Sequence, residues 1–352
     1  MPGSLRLTTF GDVNLADPFF DSLKAQYNEF SDWFARKAAE PVYVVDDDMT
    51  GQLRGFIYLK IEEDVIEDIE PALPALKRVK VGTLKILAHG TKLGERVIKK
   101  IFDHAVASEA EEIYVTVFEE HAGLIRLFER YGFILHGYKT TDNGREAVFV
   151  RSLVDHARDG LDLYPLIRRN PSRIYLLAIY PDYHTNLFPD SILRTEVGHI
   201  VEDVSHTNTI HKVYIAKMVL TRLRRGDIVV IYRTTDIPGR ARFRSVATSI
   251  CVVEESHSRA DFANEQDFVD FALPHSVFPE AELRDWYRDR AKRLYAVKMT
   301  YNAALPRRPN REVLLDDVGI SESPRWDFRK ISEHEFDRIV ELSELDPRLI
   351  VE

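Results

Sequence analysis

The sequence predicts an α/β (α+β) chain of two domains, the first built on a mixed central sheet and the second mostly β with a helical insertion. Three observations carry this reading. A length of 352 residues exceeds one ordinary core at roughly 100–200 residues per domain. Strand-like and helix-like runs alternate up to about residue 152, as in a sheet with crossover helices. Beyond about residue 172, short β-rich runs follow one another, and helical periodicity interrupts them near 262–292.

The elements follow in order. DPFFDSLKAQYNEFSDWFARKA places Phe19, Leu23, Tyr27, Phe30, Trp33 and Phe34 at helical spacing, with Asp17 and Pro18 as a start signal, so two short helices are expected. PVYVVDDDMTGQLRGFIYLKIE reads as a hairpin about an Asp-rich turn containing Gly51, with Asp46, Asp47 and Asp48 solvating that turn. A strand RVKVGTLKIL comes next, then a Gly-containing turn and a helix from about Lys92 to Val106 with Leu93, Val97, Ile98, Ile101 and Phe102 on one face. EEIYVTVF is a continuous apolar strand of the kind buried on both faces. A helix HAGLIRLFERY and a hairpin FILHGYKTTDNGREAVFVRSL, turning at Asn143 and Gly144, close a domain assigned to 1–154.

From 155 to 171 the pattern breaks, with Gly160, Pro165 and Pro171 among charges, and this stretch is expected to be a linker. The second domain, 172–352, holds strands in RIYLLAIY, KVYIAKMVL, GDIVVIYRT, ARFRSVATSICVVEE and YAVKMTYNAAL. Its tail, WDFRKISEHEFDRIVEL, reads as a strand and then a helix opened by a Ser332–Glu335 capping box.

Composition narrows the function classes. With 45% hydrophobic and 30% charged residues the chain is globular. No run of about 18 apolar residues and no signal-peptide pattern is present, so a cytoplasmic protein without a membrane partner is expected. The single cysteine, Cys251, excludes disulfide frameworks and cysteine-ligated zinc within one chain and reads as a small buried hydrophobe. A formal charge of -9 argues against indiscriminate polyanion binding. Residues 161–250 nevertheless hold 13 Lys and Arg against 8 Asp and Glu, which permits an anionic ligand there. His184, His199, His206 and His211 lack ligand spacing, so no metal is expected.

The chemistry is expected at VGTLKILAHGTKLGERVIKKIF. A strand, a short turn and a helix start present unpaired N–H groups and the positive end of a helix dipole, which receive phosphate oxygens. By residue types alone the same stretch also reads as a plain strand-to-helix joint.

The order of elements from about residue 17 to 151 resembles the GNAT acetyltransferase superfamily. In that family the turn is Gln/Arg-x-x-Gly-x-Gly/Ala; here it is His89, Gly90, Thr91, Lys92, Leu93 and Gly94, so His89 and Lys92 depart from the pattern. TVFEEHAGLIRLFERYGF, ending in Glu129, Arg130, Tyr131, Gly132 and Phe133, looks like the family's later strand and helix. The resemblance implies acetyl-CoA as cofactor, its diphosphate on the turn and its pantetheine beside Leu84 and Ile86, where strand 4 splays from strand 5. It further implies direct attack by an amine, with a strand N–H near Leu84 polarising the thioester carbonyl.

Two more departures bear on mechanism. Where the family often places an asparagine and a proton-donating tyrosine, this sequence has His121 and Phe128, and phenylalanine cannot donate a proton. Tyr131, three residues on, is a substitute acid or a core residue. His121 is an acid or base or simply a helix-start histidine, and Glu62, Glu119 and Glu120 are further candidate bases through water.

The second domain is similar to the PUA-like superfamily, including ASCH and EVE domains, through GDIVVIYR and DFRKISEHEF. The likeness implies a β-barrel, and RNA or modified bases as ligands. Arg224, Arg225, Arg240, Arg242, Arg244 and Tyr180 are the nucleic-acid candidates, with Tyr183, Tyr232 and Trp286 as further stacking platforms or core residues. The leading expectation is an acetyl-CoA-dependent N-acetyltransferase whose acceptor is RNA, tRNA or a nucleotide-derived amine. The alternatives are transfer to a protein or small amine, and a non-catalytic sensor of CoA or modified bases. The sequence leaves oligomeric state open, a homodimer included.

Overall fold

A computed structural model describes residues 5–47, 49–87, 92–155, 157–169, 173–188, 209–220 and 223–352. It divides into two compact units, Met1–Asp162 and Leu163–Glu352.

The first unit runs β1 (Leu5–Thr9), α1 (Asp21–Gln26), α2 (Phe30–Arg36), β2 (Pro41–Asp46), β3 (Leu53–Glu62), β4 (Arg78–Ile86), α3 (Leu93–Ala107), β5 (Glu112–Phe118), α4 (Ala122–Arg130), β6 (Ile134–Thr141) and β7 (Gly144–Ser152). Its seven-stranded sheet has the order β1-β2-β3-β4-β5-β7-β6. All neighbours are antiparallel except β4 and β5, which are parallel and joined through α3. Strand β1 is the element that periodicity does not announce, because LRLTT is a short edge run whose Leu7 is exposed.

On one face, α1 and α2 close over the sheet through a cluster of aromatic rings. Phe10 lies edge-on to Phe34 at 4.8 Å and to Phe56 at 5.4 Å, and Phe20 lies 5.2 Å from Phe56. Each fully buried phenylalanine contributes about 1.5–3 kcal/mol of apolar transfer, which holds two helices too short to persist alone. Helix α3 buries Val97, Ile98, Ile101 and Phe102, the face expected from its spacing. At the other edge the segment preceding β4 is laid on β6: Glu70 and Tyr138 exchange backbone hydrogen bonds at 2.8 and 2.9 Å. Gly137 permits this approach, since a Cβ there would stand 2.1 Å from the Glu70 carbonyl oxygen.

The second unit contains β8 (Ile167–Arg168), β9 (Ile174–Ile179), α5 (Pro181–Leu187), β10 (His211–Ala216), β11 (Ile228–Arg233), α6 (Ala241–Arg244) and β12 (Val246–Ser258). It continues with α7 (Glu265–Ala272), α8 (Glu280–Arg288), β13 (Tyr295–Ala304), α9 (Arg311–Asp316), β14 (Phe328–Ile331), α10 (Glu333–Leu342) and β15 (Ile350–Val351). A six-stranded sheet of order β10-β13-β12-β11-β9-β14 forms among the described residues. Strands β9 and β11 run parallel within it. The helical insertion is α7 and α8, whose Phe268, Val269, Leu283 and Tyr287 pack with Val213 and Ile215 of β10. Helix α10 starts at Ser332 with both hydrogen bonds of the expected capping box.

Two expectations are corrected. The stretch 155–171 is not a free linker: Leu163, Tyr164, Leu166 and Ile167 are buried, and β8 pairs with β15 at the chain's end. ARFRSVATSICVVEE is not one strand: its first residues form α6, and β12 begins at Val246. The chain's Gly and Pro content at 155–171 mimics a linker, but its apolar residues belong to a core.

Candidate active site

The site is set by where β4 and β5 stop pairing. Their parallel ladder runs from Arg78↔Glu112 to Val81↔Val115, yet β4 continues to Ile86 and β5 to Phe118. A β-bulge causes the parting. Tyr58 of β3 faces Thr83 and Leu59 faces Val81, so Gly82 is an extra residue in β4, and bulges bend the strand that carries them. Gly82 also has to lack a side chain, because a Cβ would meet the Tyr58 ring at 2.7 Å. Beyond the bulge, Leu87 N–H donates to Arg54 of the β3 side at 2.8 Å. Strand alternation therefore turns the N–H groups of Ile86 and Leu84 away from β3, into the gap.

A cavity of about 360 Å³ opens there. Val81 to Leu84 and Val115 to Phe118 form its floor, while Tyr27, Phe30, Trp33 and Tyr58 supply an aromatic wall from α1, α2 and β3. Its polar groups come in two sets. On the β3 side, Glu62 accepts from the Tyr114 hydroxyl and pairs with Lys60 at 3.0 Å and Lys80 at 3.6 Å. Burial pushes the Glu62 carboxyl up, but Tyr114, Lys80 and Lys60 outweigh it and hold the group below the usual carboxylate range. Burial also pulls the Lys80 ammonium down, against the opposing attraction of Glu62.

On the β7 side, Glu146 is 5% exposed and accepts from the Tyr27 hydroxyl at 2.9 Å and from Thr116 at 3.3 Å. Burial, then the charge of Glu146, pushes the Tyr27 phenol well above its ordinary range, so its proton stays in place. Glu29 accepts both carboxylate bonds from the Asn143 amide, at 3.0 and 3.1 Å. Neither Tyr27 nor Glu146 was singled out by motif, because one reads as a helix core position and the other as a strand residue after a turn.

The expected site residues divide. Leu84 lines the cavity and Ile86 lies on the parted strand. His121 also lines it as the N-cap of α4, its Nε2 3.3 Å from the Gln26 amide, while Gln26 donates to Glu120 at 3.1 Å. Glu119 is exposed and does not line the cavity. Phe128 and Tyr131 are both fully buried, with Phe128 4.8 Å from Phe133, so both pack in the core beneath α4. His89, Gly90 and Thr91 lie outside the described residues. Lys92 is the N-cap of α3 with φ -84°, a conformation open to any residue. Leu93 is buried and starts α3, and Gly94 lets α3 approach α4, since a Cβ there would lie 2.9 Å from Leu127. Asp46 accepts from Arg6, and Asp47 caps its own turn through the Met49 and Thr50 amides; Asp48 lies outside the described residues.

In the second unit Tyr180 is 67% exposed, and Arg224, Arg225 and Arg240 are exposed as well. Arg242 is tied to Glu312 at 3.1 Å and Asp316 at 2.7 Å, and Arg244 faces Asp236 at 3.6 Å, so these two arginines are already locally compensated. Tyr232 is buried against Trp326, and the half-buried Trp286 packs on Phe278 at 4.4 Å. Tyr183 also contacts Phe278. His184 is buried against Thr248, and His211 is bonded to Glu254 at 2.8 Å, in separate surroundings; His199 and His206 lie outside the described residues. Cys251 is fully buried, and burial pushes its thiol well above the ordinary range. Among the described residues no three of His, Cys, Asp and Glu converge on a metal position, and no helix is long and apolar enough to cross a membrane.

Comparison with known proteins bears on the first unit. The model of the acetyltransferase (GNAT) family matches residues 9–133. No curated protein matches the chain. Among solved structures, the chain is similar to ASCH from Zymomonas mobilis, 10% identical over 48% of this chain and 95% of that one, with a TM-score of 0.34. It is also similar to the NatC complex bound to Gag peptide and CoA, 16% identical over 42% of this chain and 97% of that one, with a TM-score of 0.30. With the family match, the first unit is an acyltransferase domain of the GNAT fold, and acetyl-CoA is its cosubstrate.

Proposed function

We propose that the protein transfers the acetyl group of acetyl-CoA to the nitrogen of an amine that enters the cavity from the α1–α2 side. The observation that carries this is the parting of β4 from β5 after Val81 and Val115, with Leu84 and Ile86 N–H groups directed into the opening. An extended pantetheine chain carries amides that would complete the unpaired edge of β4, and the Leu84 N–H would polarise the thioester carbonyl. The diphosphate would rest at the start of α3, on the turn His89 to Gly94. The amine attacks the thioester carbon, the C–S bond breaks, and the thiolate takes up the proton that the amine gives away. His121, at the cavity lining, is assigned the proton transfer, since Tyr131 and Phe128 are buried. Glu62, held ionised by Tyr114 and its two lysines, would assist through water.

The experiment is transfer of labelled acetyl from acetyl-CoA to a panel of primary amines. Labelled product that disappears in His121→Ala, with CoA binding intact, supports the reading. Absence of transfer to every amine overturns it.

A second reading takes RNA, tRNA or a nucleotide-derived amine as acceptor, bound by the second unit. Exposed Tyr180 together with Arg224, Arg225 and Arg240 favours it, as tools for stacking and phosphate contact. It requires transfer that rises with added tRNA and a mass gain on the RNA. A flat response removes it.

A further inference from the structure

The cavity is electrically lopsided. Its lysines come with carboxylates: Lys37 with Glu40 at 2.9 Å, Lys60 and Lys80 with Glu62, and Lys139 with Asp68 at 2.5 Å. The β7 side differs. Among the described residues, the hydrogen-bond partners of Glu146 are the hydroxyls of Tyr27 and Thr116, and that of Glu29 is the Asn143 amide. All three donors are neutral. The Tyr27 proton cannot neutralise Glu146, because burial and Glu146 itself hold the phenol above its ordinary range. Both carboxylates act on Tyr27, so they flank the same side chain.

A carboxylate as buried as Glu146 is costly to maintain without a cation, whereas one that meets a cationic ligand recovers the cost on binding. The neighbouring wall suits the same ligand. Tyr27, Phe30, Trp33 and Phe118 offer apolar faces for a methylene chain and ring faces for a positive nitrogen. The volume, about 360 Å³, falls in the range of small-molecule sites rather than polymer grooves.

We infer that the acceptor is an aliphatic amine carrying at least two positively charged nitrogens, one docked on Glu146 beside the thioester and another held by Glu29 at the Asn143 turn. This deepens the proposed transfer to amines and rests on it. A phosphate-bearing acceptor would meet two carboxylates at this wall and be repelled. The nitrogen at Glu146 first gives one proton to the His121 imidazole, which passes it to solvent, and loses a second to the departing thiolate after it attacks, while the other nitrogen stays charged and sets the affinity.

The test compares 1,4-diaminobutane and spermidine with butylamine on the full chain. The inference expects kcat/KM for the diamine to exceed that for butylamine at least tenfold. Glu29→Gln, an exposed position, should shrink this gap by raising KM for the diamine more than KM for butylamine. Glu146→Gln should raise KM for all three amines. Equal kcat/KM for diamine and monoamine, or a gap untouched by Glu29→Gln, overturns the inference. Calorimetric titration of 1,4-diaminobutane into the CoA-saturated protein separates the two levels. Preferential diamine binding without turnover supports the amine site and sinks the transferase reading, whereas turnover without diamine preference does the reverse.

Discussion

Val81 and Val115 are the last partners in the parallel ladder of β4 and β5, and one residue further along β4 the extra Gly82 sits under the Tyr58 ring. The bulge, the glycine and the gap are thus one structural event. The closed end of the ladder is as specific as the open one. Arg78 and Glu112 are its first pair, joined side chain to side chain at 2.5 Å, and Arg78 is 1% exposed.

Arg78→Ala should therefore weaken the first unit by roughly 3–5 kcal/mol, the usual cost of stranding one partner of a buried ion pair. Arg78 also donates to the Pro74 carbonyl at 2.5 Å, so the loss reaches the segment before β4. Urea unfolding of wild type and variant measures it. A change below about 1 kcal/mol would mean that the pair is no more than a surface bridge.

Gly82→Ala should close the site. The added Cβ would force the Tyr58 ring from its place, where its hydroxyl bonds Glu40 and accepts from Lys37 at 3.0 Å. Overpacking of this sort costs about 1–3 kcal/mol, and transfer activity should fall further than stability does. Gly123 in α4 is the control: a Cβ there meets nothing within 4 Å, so Gly123→Ala should gain roughly 0.5–1 kcal/mol by helix propensity. Thermal melts with parallel activity assays decide both.

Tyr27→Phe removes a donor from buried Glu146 while leaving the ring in the aromatic wall. The KM for amines should change, and affinity for CoA should not, because Tyr27 belongs to the acceptor side. Equal losses in amine and CoA affinity would show a general disturbance of the fold.

The second unit should lose stability as pH falls from neutrality. Burial, then Arg233 and Arg308, pulls the His184 imidazole down to about 3. Between that value and an unfolded pKa near 6.5, the unfolded chain binds the proton that the folded one refuses. Stability is therefore complete above about pH 6.5 and declines toward pH 3, by roughly 2 kcal/mol on going from pH 7 to pH 5. Denaturant unfolding at the two pH values should show the slope in wild type and its loss in His184→Gln.

Much of this was legible in the sequence, and the exceptions have physical reasons. The α3 face, the capping box of α10 and the splay at Leu84 follow from periodicity, local hydrogen bonding or resemblance. That Phe128 and Tyr131 both face inward, one in α4 and one at its end, depends on the rotation of the helix, which residue spacing does not fix. Glu146 and Tyr27 stand 119 residues apart in the chain and meet only through the fold, so no local pattern marks them. Tyr232 leaves two readings open, stacking platform or core, because an aromatic ring in a strand looks alike whether buried or bare; the fold buries it.

The most direct measurement is hydrogen–deuterium exchange over residues 82–87 with and without CoA. The account predicts slowed exchange at the Leu84 and Ile86 amides on CoA addition, with Lys85 and Leu87, which face β3, little changed. Unaltered exchange at Leu84 and Ile86 in protein saturated with CoA would contradict a cofactor lying in the opening between β4 and β5.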